Sequence, residues 1–212
     1  MNSKIEKTAN SLFKKDGFYV YENAISQDLA ELLKTQFEMH MNTTAFKDGI
    51  TELNYKTITK YSDTQVPHSY PVYGHHAFDS LMMVIQPKVE EVTGLKLFPC
   101  YTYARAMFKG AIMLKHKDRP SCQYSITMCI DDDKDNEYPI FMENYAGEVH
   151  EVYLAPGDMI VYNGTELNHW RERYLGKRQI QAFMHYVDAN GKYKDHKFDK
   201  RSMLGLPAET KK

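Results

Sequence analysis

Two periodicities divide the chain near Gly94. Before it, apolar residues recur at helical spacing. Phe78, Leu81, Met82, Ile85, Val89 and Val92 fall three, four or seven apart, and Gly94 stands where a left-handed C-terminal cap belongs. Pro87 lies inside that run and predicts a kink, or a break into two helices. A second helix is expected from Ser26, whose hydroxyl can cap it, to about Met41, with Leu29, Leu32, Leu33 and Phe37 on one face and Asp28 in the first turn. Residues 4–14 read as a short, weakly amphipathic helix and residues 17–21 as a strand. Residues 42–74 are mixed and polar, with Pro67 and Pro71 interrupting regular structure.

After Gly94 the alternation becomes two-residue, the signature of half-buried strands. Eight are expected, at 97–108, 112–115, 123–130, 139–142, 149–154, 158–162, 167–171 and 179–187, with turn residues such as Gly110, Gly147, Pro156-Gly157, Gly164 and Gly176 between them. So many short strands without intervening helices point to a sandwich or jelly roll and not to a βαβ sheet. The expected fold is α+β, mainly β. It divides into a helical support region (1–94), a jelly-roll core (95–189) and a lysine-rich tail (190–212) expected to be a mobile surface segment, all within one structural domain.

Composition narrows the function. The 212 residues carry 27 basic and 28 acidic side chains, a net charge of −1, so the basic excess of a general nucleic-acid binder is missing. Three cysteines without a CxxC pair fit neither a disulfide scaffold nor a cysteine zinc site. No apolar run approaches the roughly twenty residues of a membrane span, and the N-terminus lacks a signal-peptide core. The expectation is a cytoplasmic protein that does not engage membranes.

The chemistry concentrates around two histidines. His116 and Asp118 are two residues apart, hence on one face of an extended strand, and His169 follows 51 residues after Asp118, just past the turn Asn163-Gly164. Two imidazoles and a carboxylate can take one face of an octahedral Fe(II) and leave three positions open. Arg178 follows nine residues after His169, across an expected hairpin turn at 173–177. Pointed inward, its guanidinium can grip a carboxylate in bidentate fashion. A cosubstrate that chelates iron at one end and offers a carboxylate at the other is 2-oxoglutarate.

His116-x-Asp118, His169 and Arg178 resemble the signature of Fe(II)/2-oxoglutarate-dependent dioxygenases, on the prolyl 4-hydroxylase-like branch. The resemblance spans roughly residues 95–188, and the runs at 116–122, 166–172 and 181–187 look like a small bacterial or viral subgroup. It implies a double-stranded β-helix (jelly roll, cupin-like) with N-terminal helices packed outside it. It further implies Fe(II) as cofactor, 2-oxoglutarate and O2 as cosubstrates, ascorbate as a reductant, and succinate and CO2 as coproducts. The collagen-type branch has a tyrosine three residues before HxD and a lysine ten after the distal histidine. Here Met113 and Gln179 hold those positions, so peptide prolyl hydroxylation does not follow.

Strand parity supplies further candidates. In residues 122–131, Gln123, Ser125, Thr127 and Cys129 share one face, while Tyr124, Ile126, Met128 and Ile130 share the other. The polar face suits a ligand cavity and the apolar face suits packing beneath helices. Tyr103 or Thr127 would assist Arg178 with the cosubstrate. Tyr101, Tyr103 and Arg105 are expected inward, and Arg171 shares parity with His169. Arg105, Arg119, Arg171 and Trp170 are candidates for contact with a peptidyl or small-molecule substrate, although Trp170 is better suited to wall packing than to a substrate platform. The pair His75-His76 reads as a helix-start feature, and residues 42–74, with Tyr70, Pro71 and Tyr73, as part of the entrance or a lid. Alternatives are a cupin-like metalloprotein that does not use 2-oxoglutarate, a non-catalytic or virion-associated binding module that retains the fold, and a nucleic-acid demethylase, which the net charge disfavours.

Overall fold

The computed structural model describes residues 2–207. Helix α1 (Asn2–Asp16) leads into strand β1 (Phe18–Tyr21), helix α2 (Gln27–Lys47), strand β2 (Ser69–Tyr73) and helix α3 (His76–Thr93). Strands β3 (Leu97–Phe108), β4 (Met113–His116), β5 (Tyr124–Asp131), β6 (Ile140–Glu143) and β7 (Val149–Val152) follow. They are succeeded by β8 (Met159–Asn163), β9 (His169–Arg171) and β10 (Arg178–Asp188). All eight expected core strands are present. They form two antiparallel sheets, one ordered β1-β8-β5-β10-β3-β2 and the other β4-β9-β6-β7. No helix among the described residues is long and apolar enough to cross a membrane.

The helices form as their caps direct. Ser26 accepts from the Leu29 amide and starts α2, which runs six residues beyond the expected end. His75 Nδ1 accepts from the Ala77 amide at the start of α3, and Gly94 closes that helix at φ 73°. Pro87 does not break it into two helices. Its ring displaces a hydrogen bond to the carbonyl of Met83, a half-exposed residue on the solvent side of α3. The inner faces of α2 and α3 present Leu33, Phe37, Phe78, Met82, Ile85 and Val89 to the six-stranded sheet. That sheet answers with Ile126, Met128, Ile130, Ala182 and Met184, the outward set of β5 and β10. Each such large side chain removed from water contributes roughly 1.5–3 kcal/mol.

Because one face of β5 and β10 is spent on this core, the other must face the second sheet. Register then stacks the interior in rows. Tyr101, His185, Ser125 and Tyr162 lie side by side; Tyr103, Phe183, Thr127 and Ile160 form the next row; Arg105, Gln181 and Cys129 the one after. The facing sheet contributes the row His116, His169 and Met142, and next to it Met113 opposite Arg171. The interior between the sheets is therefore divided: an apolar cluster that includes Met107, Met113, Ile140, Met142 and Ile160 lies beside these polar rows, whose buried polar groups need partners.

Two expectations are corrected. Strand β2 was not anticipated because Pro71 lies in its middle, yet β2 is the sheet's edge and Pro71 withholds an amide that an outer partner would otherwise need. The tail is also not a loose segment over its described part. Residues 190–207 fold back, and the nearly buried Arg201 donates to the Asp79 carboxylate of α3 (3.4 Å), to the Cys100 carbonyl (3.1 Å) and to the Leu206 carbonyl (2.9 Å). Residues 208–212 lie outside the described part. Asp79 also accepts from Thr102 Oγ1 and from the Gly205 amide, both at 2.7 Å. Truncation by Arg201→Ala leaves that carboxylate buried without its cation, and equilibrium unfolding in urea should show a loss of about 3–5 kcal/mol. A loss below about 1 kcal/mol would show that the pair does not tie the segment down.

Candidate active site

Strand β4 ends at His116, and the chain leaves it extended through Lys117 to Asp118, so both side chains project into the barrel mouth. The short strand β9 brings His169 directly opposite His116, with ring centroids 4.4 Å apart. Asp118 Oδ1 lies 3.7 Å from His116 Nε2 and 3.6 Å from His169 Nε2. One ligand atom from each of the three falls within 4.8 Å of the others, the arrangement a single metal ion needs.

The backbone decides which imidazole nitrogen is available. His116 Nδ1 lies 2.7 Å from the Leu114 carbonyl and His169 Nδ1 lies 3.1 Å from the Leu167 carbonyl. A carbonyl can only accept, so each Nδ1 carries the proton and each Nε2 presents its lone pair to the shared space. Burial and the neighbouring His169 push the His116 imidazole below its usual range, favouring the neutral form that a metal requires.

Asp118 is held from behind. The Ser125 hydroxyl donates to Asp118 Oδ2 (2.7 Å), and His185 Nδ1 lies 2.9 Å from Ser125 Oγ. With the hydroxyl proton directed to the carboxylate, His185 Nδ1–H is the donor to Ser125. Burial lowers His185 to about 4, so this imidazole is neutral at pH 7. Burial alone would raise the Asp118 carboxyl, but the facing His169, His185 and the Ser125 hydroxyl outweigh it and hold the group below the usual carboxylate range. Gly164 supplies the space: its carbonyl accepts from the Asp118 amide at 2.8 Å, and a Cβ there would collide with Asp118 Oδ2 and the Cys122 carbonyl. Ser125, His185 and Gly164 were not singled out as site residues. Ser125 lay on the polar face of its strand and Gly164 in a recognised turn, whereas nothing local marked His185.

The triad opens into a cavity of about 360 Å³ lined by Tyr73, Tyr101, Tyr103, Arg105, Arg119 and Phe183, among others. Arg105 donates to Asp63 (2.6 Å) and to Gln65 Oε1 (3.1 Å), and Tyr103 OH donates to Asp63 (2.8 Å). The Gln65 amide sits 3.2 Å from His116 Nε2, so the loop before β2 reaches over the site, as expected for residues 42–74. Arg119 is half-exposed at the rim, over the Tyr101 ring at 4.7 Å and 3.1 Å from Asp199. Thr127 is fully buried inside the barrel and its Oγ1 has no hydrogen-bond partner.

Of the predicted residues, Arg178, Trp170, Arg171 and Thr127 do not line this cavity, and the first two do not face the interior at all. Arg178 lies on the helix-facing side of β10, with the even-numbered positions that pack under α2 and α3, while Gln179 takes the inward position. Its guanidinium is paired with Glu38 of α2 and with Asp131 (2.8 Å). Trp170 faces away from the interior, because its neighbours His169 and Arg171 occupy the inward positions. Its ring stacks on Phe141 at 5.5 Å beneath the Lys115 ammonium. Arg171 does point inward. It is 2% exposed, donates to the Tyr138 carbonyl, and stacks over the Tyr138 ring at 5.0 Å.

No protein-family model and no curated protein matches the sequence. Solved structures do match. A Pseudomonas putida prolyl-4-hydroxylase superposes with a TM-score of 0.63 at 12% identity, over 86% of this chain and 98% of the other. HygX from Streptomyces hygroscopicus, crystallised with nickel, 2-oxoglutarate and hygromycin B, gives 0.63 at 13% identity over 87% and 88%. The non-heme alpha-ketoglutarate-dependent epimerase SnoN from nogalamycin biosynthesis gives 0.66 at 8% identity over 89% and 84%. Likeness at such identities is likeness of architecture. In fold, the chain is similar to the iron- and 2-oxoglutarate-dependent oxygenases.

Proposed function

We propose that the protein is a non-heme Fe(II)- and 2-oxoglutarate-dependent dioxygenase acting as a hydroxylase. The observation that carries this reading is the convergence of His116 Nε2, His169 Nε2 and Asp118 Oδ1 at the mouth of one cavity, with both imidazole tautomers fixed by backbone carbonyls. Two neutral imidazoles and one carboxylate fit Fe(II) and leave one side of it open to reactants. The polar inner rows of the barrel, with the orphaned Thr127 hydroxyl and a buried guanidinium, fit an anionic cosubstrate. When bound, iron, 2-oxoglutarate and O2 supply the oxidation of a substrate C–H bond, coupled to decarboxylation of 2-oxoglutarate to succinate.

The chain's own residues do the positioning. His116, Asp118 and His169 hold the metal, and Ser125 with His185 keeps the Asp118 carboxylate turned toward it. Thr127 is free to donate to the cosubstrate, whereas the Tyr103 hydroxyl is already committed to Asp63. Tyr73, Tyr101 and Arg119 form the rim over which a peptidyl or small-molecule substrate enters, and Arg105 with Asp63 and Gln65 borders it on the side of the loop. Phe183 and Tyr162 present rings to the cavity and limit the water around the reacting carbon.

Purified protein given Fe(II), 2-oxoglutarate and O2 should form succinate, slowly without substrate, and His116→Ala should form none. Wild-type protein that binds Fe(II) yet never forms succinate would favour a metal-binding protein that does not use 2-oxoglutarate. Gly164→Ala, which forces the Asp118 carboxylate aside, should weaken Fe(II) binding by about 10–100-fold in a calorimetric titration. Because burial holds the His116 imidazole below its ordinary value near 6.5, Fe(II) affinity should stay level through that pH and fall only at more acidic pH, as protons compete for His116.

A further inference from the structure

Of the five arginines in residues 95–189, four were site candidates: Arg105, Arg119, Arg171 and Arg178. Three have found carboxylates within the chain: Arg105 with Asp63, Arg119 with Asp199, and Arg178 with Glu38 and Asp131. Arg171 has not. Among the described residues no carboxylate lies within ion-pair distance of it, its Nε has no partner, and its protein contacts are the carbonyl and ring of Tyr138. Yet it is among the most completely buried large side chains of the molecule. A guanidinium withdrawn from water without a counter-ion is strongly unfavourable, so a fold that keeps one inside has a use for an anion there.

Its neighbours point to the same conclusion. The Arg171 guanidinium is near enough to Cys129 of β5 and Tyr162 of β8, in the opposite sheet, to interact with them electrostatically. The rows containing Cys129 and its neighbour Thr127 also hold buried polar atoms without partners: Thr127 Oγ1 and both side-chain polar atoms of Gln181, with Gln179 Oε1 one step further along β10. Met113, the cross-strand partner of Arg171, and Tyr162 both line the cavity that holds the triad, so the guanidinium stands directly behind the cavity wall. Hydroxyl, amide and guanidinium donors at the bottom of one barrel are what a carboxylate needs.

Distance sets the length of the ligand. Arg171 follows His169 by two residues on one strand and projects from the same face, about 6.6 Å further along it. A five-carbon 2-oxo dicarboxylate has four C–C bonds of about 1.5 Å, and its extended chain covers roughly that gap. We propose that Arg171, and not Arg178, binds the distal carboxylate of 2-oxoglutarate, with Thr127 and Gln181 as further partners. This rests on the proposed function and goes beyond it: the anchor is moved onto the strand of the distal metal ligand, at a position that the sequence resemblance does not mark.

Pyruvate tests the assignment, because it has the same 2-oxo acid head and no distal carboxylate. Binding of each acid to anaerobic Fe(II)-loaded protein is measured by calorimetry. Wild type should prefer 2-oxoglutarate by about 100-fold or more, a difference of about 2.7 kcal/mol. In Arg171→Met the preference should fall to within about threefold, with pyruvate and Fe(II) affinities unchanged. Arg178→Met should keep the wild-type preference. A preference that survives Arg171→Met in protein that still binds Fe(II) overturns the assignment and leaves the proposed function standing. Wild type that binds Fe(II) but neither acid overturns both. Should Arg171→Met fail to fold, Arg171→Lys decides: a preference weakened at least tenfold supports the assignment, and an unchanged one refutes it.

Discussion

The Asp118 carboxylate is the constraint around which the site is built. It is largely buried, and a carboxylate there persists as an anion only while hydrogen bonds hold it. Three parts of the chain converge to do this. Ser125 of β5 donates to it, His185 of β10 fixes Ser125 from behind, and Gly164 after β8 leaves the room it occupies. The two histidines that complete the triad are set by a single register, β4 against β9. The helices pack on the opposite face of the same large sheet, so the apolar core and the metal site are two sides of the same strands.

Charge follows the same division. The molecule is nearly neutral overall, with 27 basic and 28 acidic side chains, yet the interior behind the triad holds a guanidinium without a carboxylate. At the rim the charges are matched: Asp63 answers Arg105 and Asp199 answers Arg119. Asp199 reaches its partner from a stretch in which Phe198, Asp199 and Lys200 all adopt positive φ, a conformation L-residues enter at a cost. Arg201, tied to Asp79, anchors that stretch. The C-terminal segment is therefore part of the pocket's edge, and the loop before β2 and the segment after β10 frame one opening.

Much of the fold was legible in the sequence because its signals are local. Alternation within β5 separated Ile126, Met128 and Ile130 from Ser125, Thr127 and Cys129, and this is the division between core and interior. The two-residue spacing of His116 and Asp118 was legible for the same reason. What failed depended on a single step of parity or on distant partners. Arg178 and Gln179 are adjacent, and which one faces inward is set by the pairing of β10, whose register against β5 shifts between Ile180 and Gln181. Arg201 reads as tail because its carboxylate lies 122 residues away, and His185 because its role exists only through Ser125. Arg171 was recognised as inward-facing, but its isolation from any carboxylate could be known only once every other acid had been placed.

The claim that two imidazoles and Asp118 hold an iron to which 2-oxoglutarate chelates is tested most directly by optical titration without oxygen. Adding 2-oxoglutarate to the Fe(II)-loaded protein should produce a visible metal-to-ligand charge-transfer band that saturates at one equivalent. The band should be absent in Asp118→Ala. A wild-type protein that takes up Fe(II) but shows no such band, or a band of equal strength in Asp118→Ala, would contradict the account.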